Sequence, residues 1–478
     1  MTERAFDVVV LGAGPAGEVV AGKLADGGLS VALVEPELVG GECSFWACMP
    51  SKALLRPAEA LAEARRVPGA REAVGTVDPA AALARRDEVI HDLDDSGMLP
   101  WLRSRGIELV RAAGRIAGER RVEAGGETLH ARRAVIVATG STAALPPIDG
   151  LVEADPWTNR EGTTSKEVPD RLAILGGGVV GVELAQAWRS LGAQVTLLEV
   201  GDRLLAREEP FAGEQVADAL RVAGVDVRLG VALSAVRSEE GGGAGGTAGA
   251  GAAATGDPAT GGRPRELALA LDGAPELRAD RLLVATGRRP RTDDIGVEEV
   301  GLEPGESIAV DDRMRATGVP GGWLYAIGDV NGRALLTHVG KYQAWVAAEN
   351  LLGRDAVSEV DGETAPRTVF TEPQVAAVGH TLASARAAGL DVRAVDVDTS
   401  ANAGASFVGK GAPGTCRLVV DERAGTIAGA TFTGVAVAES LHAATIAIAG
   451  RVPLDRLRHA VPSFPTRSEV WLKLLEAL

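Results

Sequence analysis

The stretch LGAGPAGEVVAGKLADGGLSVALVE, Leu11–Glu35, occurs twice in related form. Moved by 164 positions, it lies without a gap on LGGGVVGVELAQAWRSLGAQVTLLE, Leu175–Glu199. Gly12, Gly14, Gly17, Gly28 and Glu35 fall on Gly176, Gly178, Gly181, Gly192 and Glu199. Each copy has an apolar run, a G-x-G-x-x-G turn, a helical stretch and a second apolar run ending in Glu. That order predicts strand, tight turn, helix and strand. The first glycine allows the turn, the second lets the backbone approach a pyrophosphate, and the third lets the helix pack closely on the sheet. The helix then points free N–H groups at the phosphates, while the terminal Glu can accept from a ribose 2′-hydroxyl. One such motif is weak evidence; two in register are strong.

A chain of 478 residues suggests two to four domains. Its net charge of −16 argues against nucleic acid or an anionic membrane surface as partner. The N-terminal MTERAF leads directly into the first apolar run, leaving no room for a signal peptide. No apolar run has the length of a membrane span. Three cysteines are too few for a secreted disulfide scaffold, so a cytoplasmic protein is expected.

Two dinucleotides on one chain suggest a flavin and a nicotinamide. A carboxylate at Glu199 would bond the free 2′-hydroxyl of NADH and repel the 2′-phosphate of NADPH. This favours NAD(H) over NADP(H), although Arg203 lies close enough in sequence to blur the preference.

Cys43 and Cys48 sit in GGECSFWACMPSK, just beyond the first copy. In a regular helix, Cα atoms five residues apart are about 8.6 Å from each other, whereas a disulfide needs less than about 7 Å. A bond between the two therefore requires Phe45–Ala47 to be distorted or only entering a helix. Pro50 is tolerated in a first helical turn, and a helical pattern follows it. A cysteine at such a helix start gains thiolate character. A zinc pair is the poorer reading, because four intervening residues are wide for it and no second cysteine pair exists.

These features together resemble the FAD-dependent pyridine nucleotide–disulfide oxidoreductases, over essentially the whole chain. The C-x4-C pair followed by Pro50, Ser51 and Lys52 matches the family pattern. The resemblance implies that Cys48 lies beside the flavin and that Cys43 is the interchange thiol facing substrate. It implies that Lys52 lies near the flavin and pairs with Glu183. AVIVATGS and LLVATGRRP match segments that bring Thr139–Gly140 and Thr286–Gly287 to the cofactors. In WLYAIGDVNG, Gly328 and Asp329 match the second flavin motif, with Asp329 on the ribitol chain. Thr337 and His338 would open a helix beneath the isoalloxazine. Val179 holds the position of a bulkier gating side chain in some relatives.

The expected fold is α/β, with two Rossmann-like dinucleotide-binding domains and a C-terminal α+β dimerisation domain. Residues 1–150 and 286–352 would form the discontinuous FAD domain and 151–285 the NAD(P) domain. Residues 363–478 would form the domain through which a homodimer assembles. Residues 238–265 are Gly/Ala-rich and read as a flexible insertion. Cys416 reads as a buried bystander thiol.

In thiol-reducing members the last domain carries His-Pro-Thr-x-x-Glu, whose His is the general base for an incoming dithiol. Here the segment is HAVPSFPTRSEVW: Pro465, Thr466 and Glu469 are kept, and Phe464 stands at the histidine position. A phenyl ring carries no proton, and general acid–base help is worth roughly 10²–10⁴-fold. The expectation is an NADH-dependent flavoenzyme that uses Cys43–Cys48 to reduce a quinone, a metal ion such as Cu(II) or Hg(II), or another electrophile. Two alternatives are a dihydrolipoyl dehydrogenase-type enzyme, with His459 or water as base, and a redox-sensing binding protein.

Overall fold

In β1 (Thr2–Leu11), Val8 to Leu11 form an uninterrupted buried run. Such runs suit a strand covered on both faces, as in a parallel sheet. The computed structural model describes residues 2–239, 266–360 and 362–478. In it β1 lies between β2 (Val31–Val34) and β6 (Glu127–Val137) and is parallel to both. With β3 (Glu108–Val110), β4 (Gly114–Ile116), β5 (Arg121–Ala124) and β16 (Leu324–Ala326) they make a seven-stranded sheet. The order is β3-β2-β1-β6-β5-β4, with β16 parallel to β6. Helix α1 (Pro15–Asp26) joins β1 to β2. The short α2 (Gly41–Phe45) and the long α3 (Cys48–Arg66) follow β2. β7 (Ser141–Ala143) pairs with β15 (Arg288–Pro290) in a two-stranded ribbon.

The chain divides into two units. The first contains Met1–Thr76, Ala80–Ala143 and Arg288–Leu478; the second contains Val77–Pro79 and Ala144–Gly287. In the second unit, β8 (Arg171–Leu175), α4 (Val179–Ser190) and β9 (Gln194–Glu199) repeat the opening of the chain. With β10 (Asp226–Leu229) and β14 (Arg281–Val284) the strands form a parallel sheet ordered β10-β9-β8-β14. This is the counterpart of β3-β2-β1-β6. Helix α5 (Pro210–Val222) follows β9. A three-stranded antiparallel sheet is formed by β11 (Leu233–Glu239), β12 (Glu266–Leu271) and β13 (Leu277–Ala279). Of the predicted insertion, Ser238 and Glu239 close β11, and residues 240–265 lie outside the described residues.

Back in the first unit, α6 (Thr337–Leu351) packs against α1: a Cβ at Gly340 would lie 3.3 Å from that of Ala16. The terminal segment supplies an antiparallel sheet ordered β17-β18-β21-β20-β19, made of Arg367–Val369, Gln374–Gly379, Thr426–Gly434, Thr415–Asp421 and Val392–Asp398. Helices α7 (Leu441–Ala449) and α8 (Val470–Glu476) bury Leu441, Ala444, Trp471 and Leu474 against it. Phe432 meets Trp471 edge-on with centroids 5.7 Å apart, a geometry worth about 0.5–1.5 kcal/mol beyond area burial. Among the described residues, no helix is long and apolar enough to cross a membrane.

Candidate active site

The two glycine loops have the same geometry. Gly12 has φ +98° and Gly176 φ +111°, and a Cβ at either would fall 2.4 or 2.5 Å from a carbonyl oxygen of the next strand's end, at Ala138 or Ala285. At Gly17 and Gly181 a Cβ would fall 1.9 Å from the Gly12 or Gly176 oxygen, so only glycine lets α1 and α4 sit this close. Gly14 and Gly178, by contrast, face open space and are helix N-caps without a side-chain cap bond. Open glycine surface beside uncapped helix N–H groups is the cradle a pyrophosphate needs. The residues therefore fit a dinucleotide in each unit.

The acidic ends of the two second strands also match. Ala13 N–H donates to Glu35 Oε2 at 2.8 Å and Glu37 N–H to Oε1 at 2.8 Å. Gly177 N–H donates to Glu199 Oε2 at 2.6 Å and Gly201 N–H to Oε1 at 2.7 Å. Burial raises the Glu35 carboxyl above the usual range, opposed by its two backbone donors. Near Glu199, the Arg203 guanidinium donates to the carbonyls of Ala206 (2.6 Å) and Glu208 (3.2 Å), within its own loop.

The cysteine segment breaks where disulfide geometry requires a break. Cys43 lies in α2; Trp46 (φ −134°, ψ 2°) and Ala47 (φ −136°, ψ −93°) leave the helical region, and Cys48 starts α3. Pro50 is buried in the first turn of α3. Both thiols are partly buried. Hydrogen bonding to Cys48 and then burial push the Cys43 thiol far up, opposed by the Thr337 hydroxyl and the Lys341 ammonium. Cys48 Sγ lies 3.6 Å from Thr337 Oγ1. Thus the first residue of α6 meets the Cys48 sulfur. Phe45 is buried and packs on Trp46 with centroids 5.8 Å apart, which fixes the bend between the two helices.

Lys52 follows one residue into the first turns of α3. Its ammonium lies 4.9 Å from the centroid of the Phe370 ring and 3.3 Å from Ser51 Oγ. Glu183 belongs to the other unit, where it is buried in α4 at 2% exposure. Val179 starts that helix and is 42% exposed.

Asp329 stands in a polar cluster. Ser141 Oγ donates to it at 2.5 Å, and Arg288 Nε donates to Ser141 Oγ at 2.7 Å. Burial raises the Asp329 carboxyl, against the Ser141 bond and the Arg288 charge. Gly328 N–H donates to Gln343 Oε1 at 2.8 Å, tying this turn to α6. Thr139 Oγ1 donates to the Arg291 carbonyl at 2.7 Å, and Arg291 N–H to that of Gly140 at 3.0 Å. In the second unit, Thr286 Oγ1 bonds the Ala144 carbonyl and Gly287 O accepts from Ala144 N–H. His338 turns its Nε2 to the Pro366 carbonyl at 2.7 Å.

At the chain's end, Phe464 is 77% exposed. Glu469 accepts from Gly404 N–H at 3.2 Å, and His459 is exposed. Cys416 is buried in its strand, its thiol pushed up to about 12 by burial.

Sequence reading alone did not single out Ser141, Arg288, Phe370 or Lys341 as site residues. The first two could have been found: each directly follows a Thr-Gly turn that was itself recognisable. Phe370 and Lys341 reach the thiol region from distant segments and carry no local signal.

Residues 6–350 match the family model described as pyridine nucleotide-disulphide oxidoreductase, and residues 365–475 match that family's dimerisation domain. Dihydrolipoyl dehydrogenase of Chlamydia muridarum is 32% identical over 98% of this chain and 96% of its own length. Mercuric reductase of Acidithiobacillus ferrooxidans is 33% identical over 94% of this chain and 78% of its own. Among solved structures, the HOCl-induced flavoprotein disulfide reductase RclA from Escherichia coli, as its Cu(II) complex, superposes with a TM-score of 0.82. That match has 25% identity over 99% of each chain. With its two glycine cradles, its cysteine pair and its terminal sheet, the chain belongs to the pyridine nucleotide–disulphide oxidoreductases, FAD-dependent flavoprotein disulfide reductases.

Proposed function

We propose that this protein, as a homodimer, draws electrons from NADH through FAD to the Cys43–Cys48 pair. The pair then passes them to an acceptor that requires no deprotonated dithiol: a metal ion such as Cu(II) or Hg(II), a quinone or another electrophile. When bound, FAD supplies the two-electron relay between nicotinamide and sulfur. In this reading Gly12, Gly14 and Gly17 hold its pyrophosphate, Glu35 its ribose, and Asp329 its ribitol chain. Gly176, Gly178, Gly181 and Glu199 hold the nicotinamide nucleotide. Lys52 and the start of α6, with Thr337 and His338, line the flavin ring, while Glu183 and Val179 belong to the helix that follows the nicotinamide loop. Cys48 stands at a helix N-terminus, which favours negative charge on sulfur.

The preference for NADH is supported by the Arg203 contacts. The guanidinium is engaged by the carbonyls of Ala206 and Glu208 in its own loop, and the Glu199 carboxylate would repel a 2′-phosphate.

The observation that carries the choice of acceptor is Phe464. An exposed phenyl ring occupies the position of the dithiol-activating base, and Glu469, which would orient that base, accepts from Gly404 N–H instead. Reoxidation of the dithiol to a disulfide releases two electrons and two protons. This balances two Cu(II) going to Cu(I), one Hg(II) going to the metal, or one quinone taking up both protons. Two relatives support this reading in kind, one being named for mercury reduction and one solved with Cu(II).

The test is NADH oxidation with a panel of Cu(II), Hg(II) and quinones, set against dihydrolipoamide-dependent NAD⁺ reduction. Turnover with the panel and poor dihydrolipoamide oxidation are expected. Dihydrolipoamide turnover typical of a dehydrogenase would instead favour the second reading, dihydrolipoyl dehydrogenase activity, which the identity to the Chlamydia enzyme supports.

A further inference from the structure

The turn that joins β17 to β18, residues 370–373, lies along α3, the helix that Cys48 opens. Lys52, Glu59 and Arg66 are spaced by seven residues in that helix, two turns apart each time, so they share one face. The turn and its exit meet all three. The Lys52 ammonium lies 4.9 Å from the centroid of the Phe370 ring. Gln374 Nε2 donates to Glu59 Oε1 at 3.2 Å, and Arg66 Nη1 donates to Glu372 Oε1 at 2.7 Å. The last pair is largely enclosed, its side chains 10% and 20% exposed. Gln374 is itself buried, and its Oε1 accepts from Ala438 N–H at 3.2 Å. Thr371 Oγ1 closes the turn on the Pro373 carbonyl at 2.7 Å. These bonds tie the turn down along the helix and keep the ring at its start over Lys52.

Lys52 stands four residues beyond Cys48, and residues four apart share a helix face. Helical side chains lean toward the N-terminus. Accordingly, Lys52 Nζ meets Ser51 Oγ at 3.3 Å, and that hydroxyl reaches the Cys48 carbonyl at 3.4 Å. Around the Cys48 sulfur stand Thr337 of α6, at 3.6 Å, and Cys43 of α2; Lys341, one turn along α6, acts on Cys43. His338, next to Thr337, directs its Nε2 to the Pro366 carbonyl. A cation within about 6 Å of a ring centroid is drawn to the negative face of the ring, and a cysteine beside a lysine gains thiolate character.

We propose that Phe370 is a positioning residue for the sulfur pair: its ring face holds the Lys52 ammonium on the Cys48 side of α3, where that charge favours the Cys48 thiolate. The inference rests on the reading of Cys48 as the working sulfur beside the flavin. It gives the terminal sheet a hold on the sulfur chemistry that needs no proton-carrying side chain.

The test uses two readouts on the holoenzyme. Acetylation of Lys52 by N-hydroxysuccinimidyl acetate, followed by peptide mass spectrometry, reports the contact between ring and ammonium. The long-wavelength absorbance of the anaerobically reduced holoenzyme reports the Cys48 thiolate. Phe370→Leu keeps an apolar side chain and removes the ring face. It should acetylate Lys52 about three- to tenfold faster. At the pH where the parent's band is half developed, it should lower the thiolate-to-thiol ratio by a similar factor. Phe370→Tyr should stay within about twofold of the parent in both readouts, and a ring-fluorinated phenylalanine, whose face is less negative, should fall between the two. In a Lys52→Met background, Phe370→Leu should change the thiolate ratio less than about twofold. Circular dichroism melting of each variant separates these effects from unfolding. A Phe370→Leu variant within about twofold of the parent in either readout, or the same loss of thiolate with and without Lys52, would overturn the proposal. So would Phe370→Tyr failing as fully as Phe370→Leu, since loosened packing alone would then account for both. A parent that shows no long-wavelength band while the acetylation pattern persists would overturn the flavin reading and leave the contact between ring and ammonium standing.

Discussion

The loops at Gly12–Gly17 and Gly176–Gly181 are close copies in structure as well as in sequence. Corresponding glycines meet corresponding carbonyl oxygens at 2.4 and 2.5 Å, and corresponding carboxylates accept from corresponding N–H groups. Even the return of the chain is duplicated: Gly40 N–H bonds the Ala13 carbonyl, and Leu205 N–H bonds that of Gly177. Beyond that point the two copies take different courses. In the first unit the chain runs on into α2 and α3 with the two thiols; in the second it runs into α5. One backbone frame thus serves two nucleotides, and the chemistry is added by the residues that follow it. A second difference lies inside the helices. Glu18–Val19 in α1 faces the register of Val182–Glu183 in α4, so each helix carries its carboxyl at a different position, partly buried at Glu18 and buried at Glu183.

The comparison breaks most sharply at the third glycine. Gly17→Val and Gly181→Val each drive a side chain into a carbonyl oxygen, an overpacking cost of about 3 kcal/mol, or roughly a hundredfold in affinity. Gly17→Val should lose flavin on gel filtration, whereas Gly181→Val should keep it and raise the KM for NADH. If both variants lose flavin, the division of labour between the loops is wrong.

Where the electrons go is tested by Phe464→His, which should raise dihydrolipoamide turnover by up to about 10²-fold in a steady-state assay. No gain would show that differences elsewhere set the acceptor.

Glu18→Gln brings the first helix closer to the second. The folded carboxyl titrates near 7, above its unfolded value of 4.5. Between those limits the native state holds the extra proton, so its stability falls as pH rises. The variant should therefore melt with the parent at pH 4 and above it at pH 8, by about 2–3 kcal/mol. Equal melting at both pH values would mean that Glu18 ionises without cost.

The smallest effect is expected at Glu199→Gln, which removes the charged acceptor of the second copy. NADH should lose about tenfold in KM while NADPH changes less, in line with about 1.5 kcal/mol for a bond to a charged group. An equal loss for both nucleotides would detach Glu199 from cofactor choice.

The repeat was legible because it is local: turn, helix face and strand are all written within 25 residues. The break between Cys43 and Cys48 was legible too, since an unbroken helix places residues five apart beyond disulfide reach. The surroundings of the thiols were not. Lys341 and Phe370 come from segments some 300 positions away, and only the packing of α6 and the β17–β18 region beside α3 brings them there. Glu18 stood in plain view, set against Val182 in the aligned repeat as Glu183 is set against Val19. That mismatch was the available signal.

The account's central claim is that Cys48 works beside a bound flavin fed by NADH. Anaerobic titration of the purified holoenzyme with NADH, followed across the visible spectrum, tests it directly. The account predicts a new long-wavelength absorbance on two-electron reduction, absent from Cys48→Ser and retained in Cys43→Ser. A flavin that NADH leaves unchanged, or the same band in Cys48→Ser, would contradict it.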